Sequence, residues 1–333
     1  MAMELDEIAL EQIDPGNDLF QISEELDSPP LLDALRKTGQ LNPVILLAQE
    51  PRHAIVCGFR RIRALAALGI STVIARVISE QNFDRLRIFD LALRDNCSHR
   101  QLDPLEAARA LSKLKTIWRV SEEKLINEYL PLMGLKPHRN ILCFHISLDA
   151  AHPELRRRLA DGALTPGGMD NLVREPRDVQ GRVASFLSGI RLSASLQRKV
   201  FALLQDLSVM NGAALDAPLA APEIEAIKKN AACSPFQKGE QVHDALYRMR
   251  YPSLLRAREQ FLDRKKRLAL PGSVRIKPHP FFETNEIRVE FTVSSAEDFR
   301  KIAAALHEAG MSRDVDGLFL EPNADTPQRH GTL

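Results

Sequence analysis

Gly58 is followed within five residues by Arg60, Arg61 and Arg63 in the stretch CGFRRIRALAALG. A glycine leading into free helix-start N–H groups is an anion cradle, and guanidinium forks suit phosphate oxygens. Arginine in a first helical turn opposes the helix dipole, and an anion lying between dipole and arginines would remove that conflict. A solvated basic helix face accounts for the same residues, and the two readings stay open. Asp95 and Asn96 place a carboxylate and an amide where a helix is expected to end. Magnesium bound to phosphate takes a few such oxygen ligands, although the pair could equally cap and turn the chain. A third group, Lys136, His138, Arg139 and Asn140, opens a helix behind a glycine-containing turn. Arginine reads guanine and asparagine reads adenine when such a helix enters a major groove.

The elements that must position these residues follow from residue type. Around the arginines, β-branched residues predict strands over Ala54–Cys57 and Thr72–Ile78, with a helix between them to about Leu68 and turns at Gly58 and Gly69. Residues 1–30 hold nine acidic residues and no lysine or arginine, and they predict an extended arm with one short strand near Ile8–Ile13. Leu31–Thr38 reads as a short helix closed by Gly39 in the left-handed region, and Val44–Ala48 as a strand. Strands and helices alternate through the first hundred residues, which predicts a small α/β domain. Phe83–Asn96 is predicted as a helix, and Asp103-Pro104 with Glu106 caps the next one.

From Trp118 onward the chain reads as helices with short turns. Ser121 caps Glu122–Leu132, Gly134 turns the chain, and Pro137 starts His138–His145; two short helices joined this way are a helix-turn-helix signature. Helices over Pro153–Ala160, Thr165–Val173, Asp178–Leu187 and Ser193–Leu207 follow, and between Arg100 and Lys199 there are 17 Lys/Arg against 11 Asp/Glu. Met210–Ala221 is a small-residue stretch predicted as a linker, and Gly239–Leu268 as a basic helical region broken at Tyr251-Pro252. Strands at Val274–Lys277 and Glu286–Val293, then a helix over Ala296–Glu308 with Phe299, Ile302, Ala303 and Leu306 inward, make a ββα unit. That unit is too small to bury its apolar surface alone, so dimerisation is expected. A frayed tail follows Pro322.

The expected fold class is therefore α+β in several parts. The predicted domains are a small α/β unit over 1–104, an all-α helix-turn-helix unit over 105–209, a linker and basic helical region over 210–270, and a ββα unit over 271–333. At 333 residues, 44% apolar, 27% charged and net charge +1, the chain is a soluble globular composition. Any nucleic-acid contact must come from a local patch. The apolar runs are far short of a membrane span, and the four scattered cysteines, without a CxxC pair, argue against zinc and suit a reducing cytosol.

The order of these parts resembles the ParB family of chromosome and plasmid partition proteins. Gly39-Gln40-Leu41-Asn42-Pro43-Val44 looks like that family's glycine-x-x-glutamine-proline-isoleucine segment. Cys57-Gly58-Phe59-Arg60-Arg61-Ile62-Arg63-Ala64 is similar to its Gly-Glu-Arg-Arg-x-Arg-Ala box. Asp95-Asn96 through Leu102-Asp103-Pro104-Leu105-Glu106 is similar to its Glu-Asn-x-Gln-Arg…Leu-x-Pro-x-Glu segment. The resemblance implies CTP and magnesium as ligands, with Gly58, Arg60, Arg61, Arg63 and Asn96 holding the nucleotide. Asp95 and Asn96 would serve the metal and a slow CTP hydrolysis. Double-stranded DNA would be bound through Lys136, His138, Arg139 and Asn140. It further implies a homodimer that closes as a sliding clamp in a cytoplasmic, nucleoid-associated setting.

Four departures bear on that expectation, one being that Asp95 is one methylene shorter than the family's glutamate. Phe59 stands where the family box has glutamate and can neither accept a hydrogen bond nor contact magnesium, which counts against hydrolysis. Ser98-His99 replaces Gln-Arg, and the acidic arm lacks the arginines with which family members stimulate a ParA-type ATPase. A ParB-like transcriptional regulator without nucleotide switching is the second reading. A third is a sulfiredoxin-like or phosphotransfer enzyme on the same α/β fold, for which Cys57 stands on the wrong side of Gly58.

Overall fold

The computed structural model describes residues 5–24, 26–80, 84–280, 282, 284 and 286–319. The expected tail beyond Pro322, and Phe83 at the predicted start of a helix, lie outside the described residues.

The N-terminal sheet has five strands: β1 (Leu5–Ala9), β2 (Ile13–Asp14), β3 (Val44–Leu47), β4 (His53–Cys57) and β5 (Thr72–Ile78). Their order is β1-β5-β3-β4-β2. The sheet is mixed: β1/β5 and β3/β4 are antiparallel, while β3/β5 and β2/β4 are parallel. The arm thus supplies two edge strands instead of one. Helix α1 (Pro29–Thr38) packs against α2 (Phe59–Ala67) over Ile13, Leu35, Val44, Leu46, Ile55, Ile62 and Leu65. Gly39 has positive φ (69°) but ψ of −170°, so it leaves α1 by an extended step and not through the left-handed helical region.

The other face of the sheet is covered by α3 (Arg85–His99) and α4 (Pro104–Thr116), which bury Phe89, Leu93, Leu111 and Leu114 with Leu47 and Val56. Helix α3 continues a full turn past Asn96, so Asp95 and Asn96 lie inside it and do not end it. Its N-cap, Asp84, accepts from the Arg87 N–H at 2.8 Å. The Asp103 cap of α4 forms the reciprocal box that its sequence predicts: Oδ1 accepts from the Glu106 N–H at 2.9 Å, and Glu106 accepts from the Asp103 N–H at 3.2 Å.

The first helix of the predicted helix-turn-helix consists of α5 (Glu122–Lys124), a π-helical turn over Leu125–Tyr129 and α6 (Leu130–Leu132). Pro131, which has no N–H to give a regular helix, follows that wider turn. After Gly134 (φ 74°) comes α7 (Arg139–Asp149), which lies along α4. Helices α8 (Pro153–Ala160), α9 (Pro166–Met169), α10 (Arg177–Phe186), α11 (Ala194–Asn211), α12 (Pro222–Lys229) and α13 (Pro235–Arg250) share one apolar core with α7.

The stretch 210–221, expected to be a linker, is packed. Leu215 and Leu219 are 3% and 5% exposed in that core, which also takes Ile224, Val242 and Leu246 from the expected linker region. Small residues there permit close turns; two leucines at fixed spacing anchor them. The break at Tyr251 separates α13 from α14 (Pro252–Arg267). Strands β6 (Val274–Pro278) and β7 (Ile287–Phe291) pair antiparallel, and α15 (Ala296–Gly310) and α16 (Arg313–Asp316) close the chain. Among the described residues no helix is long and apolar enough to cross a membrane.

Candidate functional site

Gly58 holds φ 101°, a conformation that favours glycine, and a Cβ placed there would sit 2.6 Å from Val44 Cγ1. The backbone between β4 and α2 therefore turns flush against β3, leaving the first N–H groups of α2 at the sheet's end. The three arginines then part company. Arg60 reaches Glu106 Oε1 at 3.4 Å. Arg61 donates to the carbonyls of Asn42 (2.8 Å) and Pro43 (2.6 Å), tying the Gly39–Val44 segment to α2. Arg63 pairs with Asp27 at 2.5 Å, and this bond to Arg63 holds the exposed Asp27 carboxyl below its ordinary range. Phe59 is half-buried and packs against the apolar clusters on both faces of the sheet, so it faces the core and not the loop's solvent side.

Opposite the loop, Asn96 donates from its Nδ2 to the Ala92 carbonyl at 2.8 Å and presents its Oδ1 to Arg100 at 3.3 Å. Asp95 is about half exposed, with His99 Nε2 at 3.8 Å. Between the two halves sits Glu106, 1% exposed. Arg100 grips both of its oxygens, one NH2 contact measuring 2.9 Å, and Ser23 donates to Oε1 at 2.7 Å. Burial alone would raise the Glu106 carboxyl, but the hydrogen bonds from Arg100 and Ser23 outweigh it and hold the group below its ordinary value. The Arg100 guanidinium is correspondingly held up by Glu106. A continuous line of contacts thus runs Arg60–Glu106–Arg100–Asn96.

Glu106 and Arg100 were not among the residues singled out for chemistry. The sequence shows Glu106 as a helix cap and as the last residue of the Leu-x-Pro-x-Glu segment, but its further role depends on side chains brought from residue 23 and residue 60. For magnesium, Asp95 offers one carboxylate and Asn96 an oxygen already shared with Arg100, a set that fits only a metal whose other ligands are phosphate and water. Among the described residues no group of three or more His, Cys, Asp or Glu converges on a metal-sized site. Cys57 is buried, and burial, with nearby Asp95, pushes its thiol up to about 12. Such a thiol is inert at neutral pH, which counts against thiol-based redox chemistry.

In the helical unit the four predicted DNA-contacting residues are brought together at the start of α7. All four are exposed. His138 is the N-cap, its Nδ1 accepting from the Asn140 N–H at 3.1 Å, and Arg139 pairs with Glu122 of α5 at 2.9 Å. His145, on the inner face of α7, bonds the Ile141 carbonyl at 2.8 Å, and burial lowers its pKa.

Comparison with known proteins places similarity in the N-terminal part of the chain. Residues 2–97 match the family model described as "ParB N-terminal domain". The match lies in the N-terminal third of the chain, which contains the arginine loop. The chain is 27% identical over 123 residues to the probable chromosome-partitioning protein ParB of Campylobacter jejuni, covering 37% of this chain and 42% of that protein. It is 29% identical over 147 residues to the chromosome-partitioning protein ParB of Myxococcus xanthus, covering 44% and 47%. The chain therefore spans less than half the length of these curated relatives. A C-terminally truncated ParB from Caulobacter crescentus, crystallised with CTP-gamma-S, aligns over 55% of this chain and 97% of its own at 22% identity, with a TM-score of 0.25.

Proposed function

We propose that the chain is a ParB-type, sequence-specific DNA-binding protein that acts as a CTP-dependent clamp in chromosome or plasmid partition. The observation that carries the reading is the contact line from Arg60 through Glu106 and Arg100 to Asn96. It joins an arginine loop shaped for phosphate to α4, the helix along which α7 lies. An anion at the loop would compete for Arg60, alter what Glu106 is asked to balance, and so reach the helix that carries the DNA-reading end. In this reading Gly58 and Arg60 hold the triphosphate, and Arg61 and Arg63 shape the loop through Asn42, Pro43 and Asp27. Asp95 and Asn96 would hold magnesium, which would supply positive charge to the phosphates. Lys136, His138, Arg139 and Asn140 meet the bases and backbone of duplex DNA.

Self-association is part of the proposal and rests on the C-terminal unit. Val274 and Ile276 of β6 are buried, while Val289 and Phe291, directly across from them on β7, are open. Cross-strand partners share a face, so one apolar face is covered on one strand and bare on the next. Phe299 of α15 was expected inward with Ala303; it is 53% exposed, and its ring stands 6.4 Å from that of Phe291. Ile302 and Ala309 take the inward positions instead. A second copy of the unit supplies the missing cover.

A ParB-like regulator without nucleotide switching is favoured by one observation: Phe59 is committed to the core where the family box carries an acceptor. Binding of CTP, ATP, GTP and UTP with magnesium to the purified chain, beside Arg60→Ala, separates the two. Selective CTP binding lost in the variant upholds the clamp reading. Absence of nucleotide binding, with or without duplex DNA, leaves the regulator.

A further inference from the structure

The first turn of α7 also walls a cavity. It measures about 800 Å³ and lies between the start of α4, the turn after α6, α7 and α9. Leu102 and Ala107 on the α4 side, Met133 of the turn and Phe144 of α7 line it, and all four are buried. The rim is polar and exposed, with Gln101, Asp103, Lys136, Asn140 and Asp170. Its two acids are engaged elsewhere. Asp103 caps α4 by accepting from the Leu105 and Glu106 N–H groups, and Asp170 faces Arg174 at 3.5 Å.

One polar side chain meets this space from inside. His145 lines the cavity and is 5% exposed. Its Nδ1 stands 2.8 Å from the Ile141 carbonyl, which can only accept, so Nδ1 carries the ring proton and Nε2 keeps a lone pair. Burial lowers the pKa of the ring and so keeps it neutral at neutral pH. An edge-on contact with Phe144, 5.2 Å between centroids at 90°, fixes the ring's orientation. With Nδ1 turned to its own helix, Nε2 lies on the opposite edge of the ring, and it has no hydrogen-bond partner among the described residues. Water is a poor candidate for that partner. An ordered water needs about three polar partners, and the wall around His145 offers one. A ligand that brings an apolar body and a single donor suits both the wall and the lone pair, and cavities of about 300–1,000 Å³ are the size that holds small molecules.

We propose that this cavity binds a small, largely apolar molecule carrying one O–H or N–H donor, with that donor on His145 Nε2 and the apolar body against Leu102, Met133 and Phe144. Such a molecule would sit directly behind Lys136 and Asn140, and filling the space would hold the turn and the first turn of α7 in place against α4. It would thereby tighten DNA binding by ordering the reading end in advance. This second half rests on the DNA reading above; the binding site itself does not.

The test uses the full chain with 2-naphthol and with 2-methoxynaphthalene, which has the same ring body and no donor, by titration calorimetry. 2-Naphthol should bind about tenfold more tightly, and it alone should shift the His145 Nε2 nitrogen resonance to that of a hydrogen-bonded acceptor. His145→Phe keeps a ring and removes the acceptor, so it should bind both probes with nearly equal affinity. Gly167→Phe fills the cavity from α9, where a Cβ meets nothing within 4 Å, and should weaken both probes at least about tenfold with circular dichroism unchanged. Equal affinity for the two probes in wild type overturns the site, as does undiminished binding to Gly167→Phe. Probe affinity that falls as protein concentration rises also overturns it, because a second copy then fills the cavity. Saturating 2-naphthol should raise affinity for a mapped duplex about fivefold in wild type and leave Gly167→Phe unmoved. Probe binding with duplex affinity unaltered upholds the site and overturns its control of α7. Probe binding in a chain that binds no duplex at all upholds the site and removes the DNA reading.

Discussion

Replacing Glu106 by Gln keeps the shape and removes the charge on which both halves of the site depend. The carboxylate is 1% exposed and is met by Arg100 on both oxygens, by Ser23 and by the Asp103 N–H. Breaking a buried ion pair from one side costs about 3–5 kcal/mol, mostly through the charge left behind. Arg100 is one-third exposed, so water relieves part of that penalty. A loss near the lower bound, about 3 kcal/mol, is expected in urea unfolding followed by circular dichroism.

The pH dependence has a defined sign. Because the native Glu106 carboxyl lies below its ordinary value of 4.5, its contribution is complete above that pH and is lost as pH falls through the depressed native value. Glu106→Gln should therefore flatten the acid limb of the stability profile below about pH 4.5. The paired change Glu106→Leu with Arg100→Met should recover most of the loss, since an apolar pair can replace a buried ion pair at little net cost. A loss under about 0.5 kcal/mol, the scale of an ordinary surface substitution, would refute the hub role, as would an acid limb unchanged from wild type.

At Gly58, alanine meets both an unfavourable φ of 101° and a Cβ contact of 2.6 Å with Val44; at Gly69 (φ 73°) it meets only the backbone cost, with nothing within 4 Å. Gly58→Ala should lower stability by at least about 2 kcal/mol and Gly69→Ala by about 1 kcal/mol in thermal unfolding, and equal losses would contradict the packing argument. Arg139→Ala should weaken binding to a mapped DNA site by about 1–3 kcal/mol in a fluorescence anisotropy titration, and unchanged affinity would remove α7 as the reading element. Phe291→Lys with Phe299→Lys should convert dimers to monomers in light scattering without lowering helix content, because both side chains are already exposed in one chain. Persistent dimers would place the interface elsewhere.

What the sequence made legible was local, and the reason is physical. Thr72–Ile78 and Pro153–Ala160 match their predicted bounds because branching, capping and proline act within one turn or strand. The Ser121 and Ser295 caps accept from Lys124 at 3.3 Å and Asp298 at 3.1 Å for the same reason. The arginine loop was legible as a basic helix start, but its division of labour was not. Arg61 is spent on two backbone carbonyls and Arg63 on Asp27, partners set by how α1 and its flanking segments lie against α2. Likewise the composition of 210–221 reports freedom to turn, whereas Leu215 and Leu219 decide that it does not move away from the core.

The largest omission is the arm. A stretch with nine acids and no basic residue reads as an extended arm with one short strand. Its placement becomes predictable only once α4 is seen to present Arg109 and Lys113 along the path it follows. Charge complementarity between segments some 85 residues apart leaves no periodic trace in either one, so the contact can be found only by asking which cations the fold has buried without a partner close in sequence.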